Sequence, residues 1–355
     1  IAYGSAKAGM EVILKDVKQE VAEKGKAYSE KLLTKAIESG YGTEAEKEAV
    51  LKRIIVTTSV DEMQDCDLII EAVIEDRKIK KSVIEETEKM ISEKCIFASN
   101  TSTLPITGLS EYSKRPKNFI GLHFFSPVDK MTLVEIILGK NSSDETLAMS
   151  MDYVTQIGKT PIVVNDSRGF YTSRVFTTYI TEGISALVEG IPPALIENAG
   201  KACGMAVGPL TVADEVSLDL IAHILKQTEE DEGLQAVDPN TYKLTNQFVN
   251  ELGRLGRKAG KGFFEYPADA RKFLSPELAK LYPDTQKDYS LEEMKLRLLT
   301  RQALETVRCQ DEGMLRSVEE ADVGSIAGRR RTLIMRKADP ELRIAFDHAV
   351  ADCAR

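Results

Sequence analysis

Three histidines occur in 355 residues, and one of them, His123, lies inside the apolar run FIGLHFF (119–125). Farther along, a lone carboxylate, Glu135, lies inside a second apolar run, LVEIIL (133–138). The connection SPVDKMT is short enough to fold the two runs together as antiparallel strands. Pairing Phe125 with Leu133 then sets His123 directly opposite Glu135. Opposed residues share a face of the sheet, with Cβ atoms about 4.5–5.5 Å apart, within reach of an imidazole–carboxylate hydrogen bond. A carboxylate so placed fixes the ring tautomer and leaves the other ring nitrogen a better base. Beside a nicotinamide, such a base would take the hydroxyl proton of an alcohol while hydride leaves the same carbon. The same pair would also serve as a satisfied polar contact inside a core. Residue types and spacing leave both readings open.

These two runs belong to a series. From Ile1 to about Asp166, short apolar strands alternate with helix-like stretches such as EVAEKGKAYSEKLLTKAIES and RKIKKSVIEETEKMISE. The other strands are VILKD (12–16), IIVTT (54–58), DLIIEAV (67–73), CIFASN (95–100) and PIVVN (161–165). The alternation predicts a mainly parallel sheet covered on both faces. In a doubly wound sheet of this kind a first strand and a glycine turn meet a pyrophosphate, and a second strand ends in an acid that accepts from ribose hydroxyls. VILKD reads as that second strand, with Asp16 at its carboxyl end, and IAYGSAKAG as the rest of the first helix, stopped at Gly9. The first strand and its glycine turn are then expected ahead of Ile1. Taken alone, Asp16 reads equally well as a solvated helix-capping residue. As a ribose ligand it would select NAD over NADP, because it would repel a 2′-phosphate. Polar residues also gather past other strand ends: Glu75 and Lys80 after DLIIEAV, TST after CIFASN, and His123 near the end of its own run. Their coincidence on one edge predicts a pocket.

From Arg168 onward the strand pattern stops. RVFTTYITEGISALVEG, PPALIENAGKACG, VSLDLIAHILKQT and NTYKLTNQFVNELGRLG read as helices, so the second half is expected to be all-α. It contains a repeat. When RVFTTYITEGISALVEG is laid beside RLLTRQALETVRCQDEG, the residues Arg, Thr, Glu, Glu and Gly coincide at one offset. Arg174 meets Arg297, Gly190 meets Gly313, and the match continues to Glu197 and Glu320. Two copies of one helical unit would pack together, although two amphipathic helices can also match by coincidence. The expected division is 1–166, 167–290 and 291–355, with a change of character after about residue 328. There the tail GRRRTLIMRKADPELRIAFDHAVADCAR carries a basic cluster best read as solvated surface.

Composition narrows the function classes. A net charge of −9 argues against general affinity for nucleic acid or anionic membrane. Five cysteines stand singly, with no CxxC pair and no His/Cys cluster, so neither a zinc site nor a disulfide framework is expected, and a reducing compartment fits. No unbroken apolar run is long enough to span a bilayer.

The words IIEAVIEDRKIKK, FASNTSTLPI, FIGLHFFSPVDKMTLVEII, GPLTVADEVSLD and GRKAGKGFFEY together resemble the NAD-dependent L-3-hydroxyacyl-CoA dehydrogenases. The resemblance runs from Ile1 to about Gly328. It is strongest to the dehydrogenase portion of the bifunctional enoyl-CoA hydratase/3-hydroxyacyl-CoA dehydrogenases, the α subunits of fatty acid oxidation complexes. It implies a Rossmann-type domain followed by a helical domain with a duplicated unit. The implied reaction takes a (3S)-3-hydroxyacyl-CoA and NAD⁺ to a 3-ketoacyl-CoA, NADH and a proton. Carried over by position, His123 is the base, Glu135 its partner, and Ser102 lies beside substrate and cofactor. Asp16 takes the adenine ribose. Val73, Ile74, Glu75, Lys80 and Ser126 line the cofactor site, Lys258 approaches it from the helical domain, and Ser173 contacts the substrate. A thiolase subunit is an implied partner. The implied location is the cytoplasm in a bacterium, or the mitochondrion or peroxisome in a eukaryote.

The chain departs from the family pattern in places. Ser173, in SRGFYTSR, and Ser126, in HFFSPV, stand where relatives commonly carry asparagine. The tail after Gly328 does not continue the pattern. Two competing expectations remain: a short-chain 3-hydroxybutyryl-CoA dehydrogenase, and a catalytically silent segment that binds a partner subunit.

Overall fold

The computed structural model describes residues 1–286 and 288–327. Two compact units divide these residues: 1–170 together with the segment from Gly313 onward, and 171–312. The tail after Gly328 lies outside the described residues.

The first unit alternates as its sequence pattern requires. Helix α1 (Ala2–Lys7) leads to strand β1 (Val12–Lys15), then α2 (Gln19–Glu38), α3 (Glu44–Lys52) and β2 (Ile54–Thr57). Strand β3 (Leu68–Glu71), α4 (Arg77–Thr87), β4 (Ile96–Ser99) and α5 (Ile106–Ser110) follow. Strands β5 (Phe119–Phe124) and β6 (Leu133–Leu138), α6 (Asp144–Gln156) and β7 (Thr160–Asn165) complete the alternation. Local chemistry sets several of these ends. Gly9 takes a φ of +98° just past α1, a conformation that suits glycine. Thr43 and Glu46 cap α3 reciprocally, and the Asp76 carboxylate accepts from Lys78 N and Ile79 N at the start of α4.

The strands form two sheets. β1 pairs with β2, and β3 to β7 form a five-stranded sheet in chain order. Only the β5–β6 pairing in that sheet is antiparallel. The expectation was one sheet, and the break falls between β1 and β3. That is where a doubly wound sheet with VILKD as its second strand places its first strand. Every residue of β5 is buried, and Ile120, Leu122 and Phe124 pack with Val134, Ile136 and Val163 in one apolar cluster. Gly121 leaves room for this packing: a Cβ there would sit 2.8 Å from Ile137 Cβ and 2.9 Å from the Ile106 side chain. The far edge of the sheet is covered. Leu315 bridges Val164 antiparallel, and α14 (Val318–Ala327) brings Glu320 to accept from Val163 N at 3.0 Å.

The second unit holds α7 (Phe170–Val188, whose first residue belongs to the first unit), α8 (Pro193–Ala202), α9 (Pro209–Val216), α10 (Leu218–Glu232) and α11 (Pro239–Asn246). A two-stranded hairpin follows, β8 (Phe264–Glu265) with β9 (Phe273–Leu274), then α12 (Leu278–Leu281) and α13 (Leu291–Asp311). The hairpin is an addition to the wholly helical reading. Its residues are anchored by side chains: Asp214 accepts from Phe263 N and Phe264 N at 2.8 and 2.9 Å, and Arg254 donates to Glu265 at 2.6 Å.

The repeat has a structural counterpart. Arg174 on α7 is paired with Glu305 and Glu312, while Arg297 on α13 is paired with Glu182 and Glu189. Each arginine thus binds the two glutamates that match its counterpart's own helix in the sequence alignment. Such an exchange is the mark of a two-fold related pair. Gly190 and Gly313 end the two helices alike, with φ of +88° and +70°. A second helix follows the glycine in each copy, α8 after Gly190 and α14 after Gly313, and α14 belongs to the first unit.

Candidate active site

The antiparallel register of β5 and β6 places His123 against Glu135, with Leu122 against Ile136 and Phe124 against Val134 on either side. His123 Nδ1 lies 3.0 Å from Glu135 Oε2. A carboxylate accepts, so the imidazole donates from Nδ1 and its lone pair lies on Nε2. Both side chains are buried, Glu135 fully. The rings of Phe125 and Phe170 stand 4.4 and 6.0 Å from the imidazole, centroid to centroid. Phe170 is placed by backbone strain: Gly169 and Phe170 both take positive φ, +73° and +48°, unusual for a bulky side chain.

Hydrogen bonds draw the loop after β4 toward this pair. Asn100 Oδ1 accepts from Phe124 N at 2.8 Å, continuing the β4–β5 pairing beyond Ser99. Thr103 O accepts from Gly169 N at 3.1 Å. The loop that carries Ser102 is therefore tied to the strand of His123 on one side and to the segment leading into Phe170 on the other. Ser102 itself is half-buried, and its N–H donates to Glu75 Oε1 at 3.0 Å.

Glu75 is the centre of a second group. Its Oε1 accepts from Thr101 Oγ1 at 2.5 Å and from Thr103 N and Thr103 Oγ1 at 3.0 Å each. Its Oε2 lies 3.4 Å from Lys80 Nζ. Burial pushes the Glu75 carboxyl up, but Lys80 and the Thr101 and Thr103 donors outweigh it, and the group sits below the usual carboxylate value. Lys80 is 1% exposed and donates to both Glu71 oxygens at 3.0 Å. The Ser99 hydroxyl also donates to Glu71.

Several residues around β1 and β3 suit the adenosine half of a dinucleotide. Asp16 follows β1, half-buried, and accepts from Val17 N at 2.7 Å. Val17 is 83% exposed, and past β3 Ile74 is 72% exposed and Val73 is also open. Bare apolar side chains and a carboxylate at the carboxyl ends of parallel strands are what a ribose and an adenine ring require. Ser126, past β5, is exposed.

Comparison with known proteins turns this geometry into a family. A model of the 3-hydroxyacyl-CoA dehydrogenase NAD-binding domain matches residues 1–167, and one of the 3-hydroxyacyl-CoA dehydrogenase C-terminal domain matches 169–266. The solved structure of (S)-3-hydroxybutyryl-CoA dehydrogenase PaaH1 from Ralstonia eutropha is 34% identical with a TM-score of 0.70, over 75% of this chain and 94% of that one.

The chain belongs to the 3-hydroxyacyl-CoA dehydrogenase family.

Among curated members of that family, the fatty acid oxidation complex subunit alpha of Shewanella sp. (strain W3-18-1) is 36% identical over 331 residues. This match covers 91% of the chain but 46% of the relative, so the chain spans about half the length of the curated relatives it matches. The fold extends to 3-hydroxybutyryl-CoA dehydrogenase from Escherichia coli K12, at a TM-score of 0.80 and 21% identity over 93% of this chain and 86% of that one.

The remaining residues carried over from the dehydrogenase family lie in the second unit. Ser173 is half-buried in α7, and Lys258 pairs with Asp219 at 2.5 Å. Among the described residues no group of His, Cys, Asp and Glu could hold a metal ion, and no helix is long and apolar enough to cross a membrane. The sequence reading passed over Glu71, Ser99, Asn100 and Phe170. Glu71 carried the same signal as Glu135, a lone carboxylate in an apolar run, and Asn100 stood at a strand end. Phe170 carried no signal, since nothing in its neighbours announces a left-handed aromatic residue.

Proposed function

We propose that the protein oxidises (3S)-3-hydroxyacyl-CoA to 3-ketoacyl-CoA with NAD, as a step of fatty acid β-oxidation. The observation that carries this is the buried His123–Glu135 pair, Nδ1 to Oε2 at 3.0 Å. With Nδ1–H committed to Glu135, Nε2 is the nitrogen available to take the hydroxyl proton. Glu135 then faces the positive charge that develops on the ring. The Ser102 hydroxyl would hold the substrate oxygen, and Ser173 the thioester region. Asp16 would accept from the adenine ribose, with Val73 and Ile74 against the adenine. Glu75, Lys80, Ser126 and Lys258 would complete the cofactor side. The nicotinamide, when bound, supplies the hydride acceptor.

Membership of the dehydrogenase family and the names of the curated relatives support this reading. The reciprocal Arg174 and Arg297 clusters favour the form with two helical units inside one chain. The 34% match to PaaH1 favours a second reading, a short-chain 3-hydroxybutyryl-CoA dehydrogenase. We further propose that the protein works beside a thiolase subunit in the cytoplasm of a bacterium; the relatives' names, which make each the alpha subunit of a complex, support a partner subunit of some kind. The test is NADH formation from 3-hydroxyacyl-CoAs of graded chain length, on this chain and on a version extended upstream by the strand expected between β1 and β3. No NADH from either protein rejects the dehydrogenase reading. Activity confined to the four-carbon substrate selects the second reading.

A further inference from the structure

We propose that Glu75 is a positioning residue that acts through Ser102: it holds the loop 101–103 in the one shape that presents the serine hydroxyl, and Lys80 holds Glu75. This rests on the reading of Ser102 as a substrate-contacting residue. It gives Glu75 and Lys80 a part separate from lining the cofactor site.

Glu75 Oε1 gathers four donors from three consecutive residues: Thr101 Oγ1, Ser102 N, Thr103 N and Thr103 Oγ1. Two of the four are backbone amides, so the carboxylate sets the path of the chain and not only a side chain. Thr101 Oγ1 in turn accepts from Leu104 N at 3.0 Å, which closes the turn from within. Ser102 is the middle residue of this arch. Its amide points to Glu75, and its hydroxyl is engaged by no side chain among the described residues.

The arch is anchored from beneath. Glu71 ends β3, Ser99 ends β4, and Lys80 lies one turn into α4. The Lys80 ammonium sits between the Glu71 and Glu75 carboxylates, at 3.0 and 3.4 Å. A buried ammonium needs a partner, and Glu71 satisfies it through both oxygens. Glu75 Oε2 is therefore held on the side away from the loop while Oε1 faces the loop donors. Two strand ends, a helix and a loop are thus linked through Lys80 and the Glu75 carboxylate, whose side chain is 18% exposed.

Hydrogen–deuterium exchange on the protein, compared among wild type, Glu75→Ala and Glu75→Gln, reads the arch without any need for turnover. Glu75→Ala should speed exchange of the Ser102 and Thr103 amides by tenfold or more while the amides of β4 and β5 keep their rates. Glu75→Gln should recover most of that protection, because its amide oxygen can accept from the same donors. Steady-state kinetics on the active protein adds the second readout. Glu75→Ala should lower kcat by about tenfold or more, in the same direction as Ser102→Ala, and Glu75→Gln should restore most of it. Unchanged exchange in Glu75→Ala, or loosening spread evenly through the sheet, overturns the proposal. So does a preserved kcat in Glu75→Ala, whatever its KM for NAD, which would confine Glu75 to the cofactor side. If wild type itself forms no NADH, the dehydrogenase reading fails and the exchange result still decides the arch.

Discussion

Glu135 stands in register with His123 on the neighbouring antiparallel strand, and its Oε2 lies 3.0 Å from the imidazole Nδ1. The contact fixes which ring nitrogen can act as a base. His123→Gln and Glu135→Gln should each lower kcat by about 10²–10⁴-fold, the range expected when a general base is removed or disoriented. Cofactor affinity should change by much less, because neither side chain is needed to hold the adenosine half. Steady-state kinetics with fluorescence titration of NADH separates the two effects. Full turnover in either variant would remove the pair from the mechanism.

Gly121 permits the close approach that sets this register. An alanine there would press its Cβ against Ile137 and Ile106. Gly121→Ala should therefore destabilise the first unit by about 1–3 kcal/mol, the usual cost of overpacking a filled core. Chemical denaturation of the two proteins measures it, and a variant as stable as the parent would show that β5 and β6 can separate without strain.

Arg297 and Arg174 make equivalent contacts with exchanged partners, so their removal should have equivalent effects. Arg297→Met and Arg174→Met should each cost about 1 kcal/mol, as expected for partly exposed multi-point ion pairs. Both losses should shrink between about 0.1 M and about 1 M salt, because exposed charges are screened. Urea midpoints at the two salt concentrations provide the check. A large loss from one arginine and none from the other would contradict the two-fold relation.

Asp214 should give the second unit a distinctive pH dependence. Burial raises its pKa from 3.8 to about 6, against the opposing pull of the Phe264 and Phe263 amides, the Tyr266 hydroxyl and Arg254. The folded protein therefore binds this proton more tightly than the unfolded chain, and stability falls as pH rises from about 4 to about 6. The loss is on the order of 2–3 kcal/mol. Asp214→Asn cannot ionise, so the stability of wild type relative to this variant should decline across that window. Taking the difference cancels carboxylates such as Glu265 and Asp219, whose lowered pKa values work the opposite way. A difference that is flat or grows with pH would refute the assignment.

The sequence by itself determined the strands of the first unit, the pairing of His123 with Glu135 and the offset of the helical repeat. These follow from local periodicity. Two apolar runs joined by a short connection admit few registers, and one that parted His123 from Glu135 would leave both polar groups buried without each other. The repeat aligned Arg174 with Arg297, and only the packed helices showed that each binds the glutamates of the other's helix. Tertiary structure alone decided the rest: Glu75 turned onto residues 101–103, Lys80 buried against Glu71, Asn100 bound to Phe124, and Phe170 held against His123. Each is a contact between segments whose separation along the chain carries no period. Which strand ends lie side by side is settled by the order of the sheet, and a side chain at one strand end finds its partner only after that order exists.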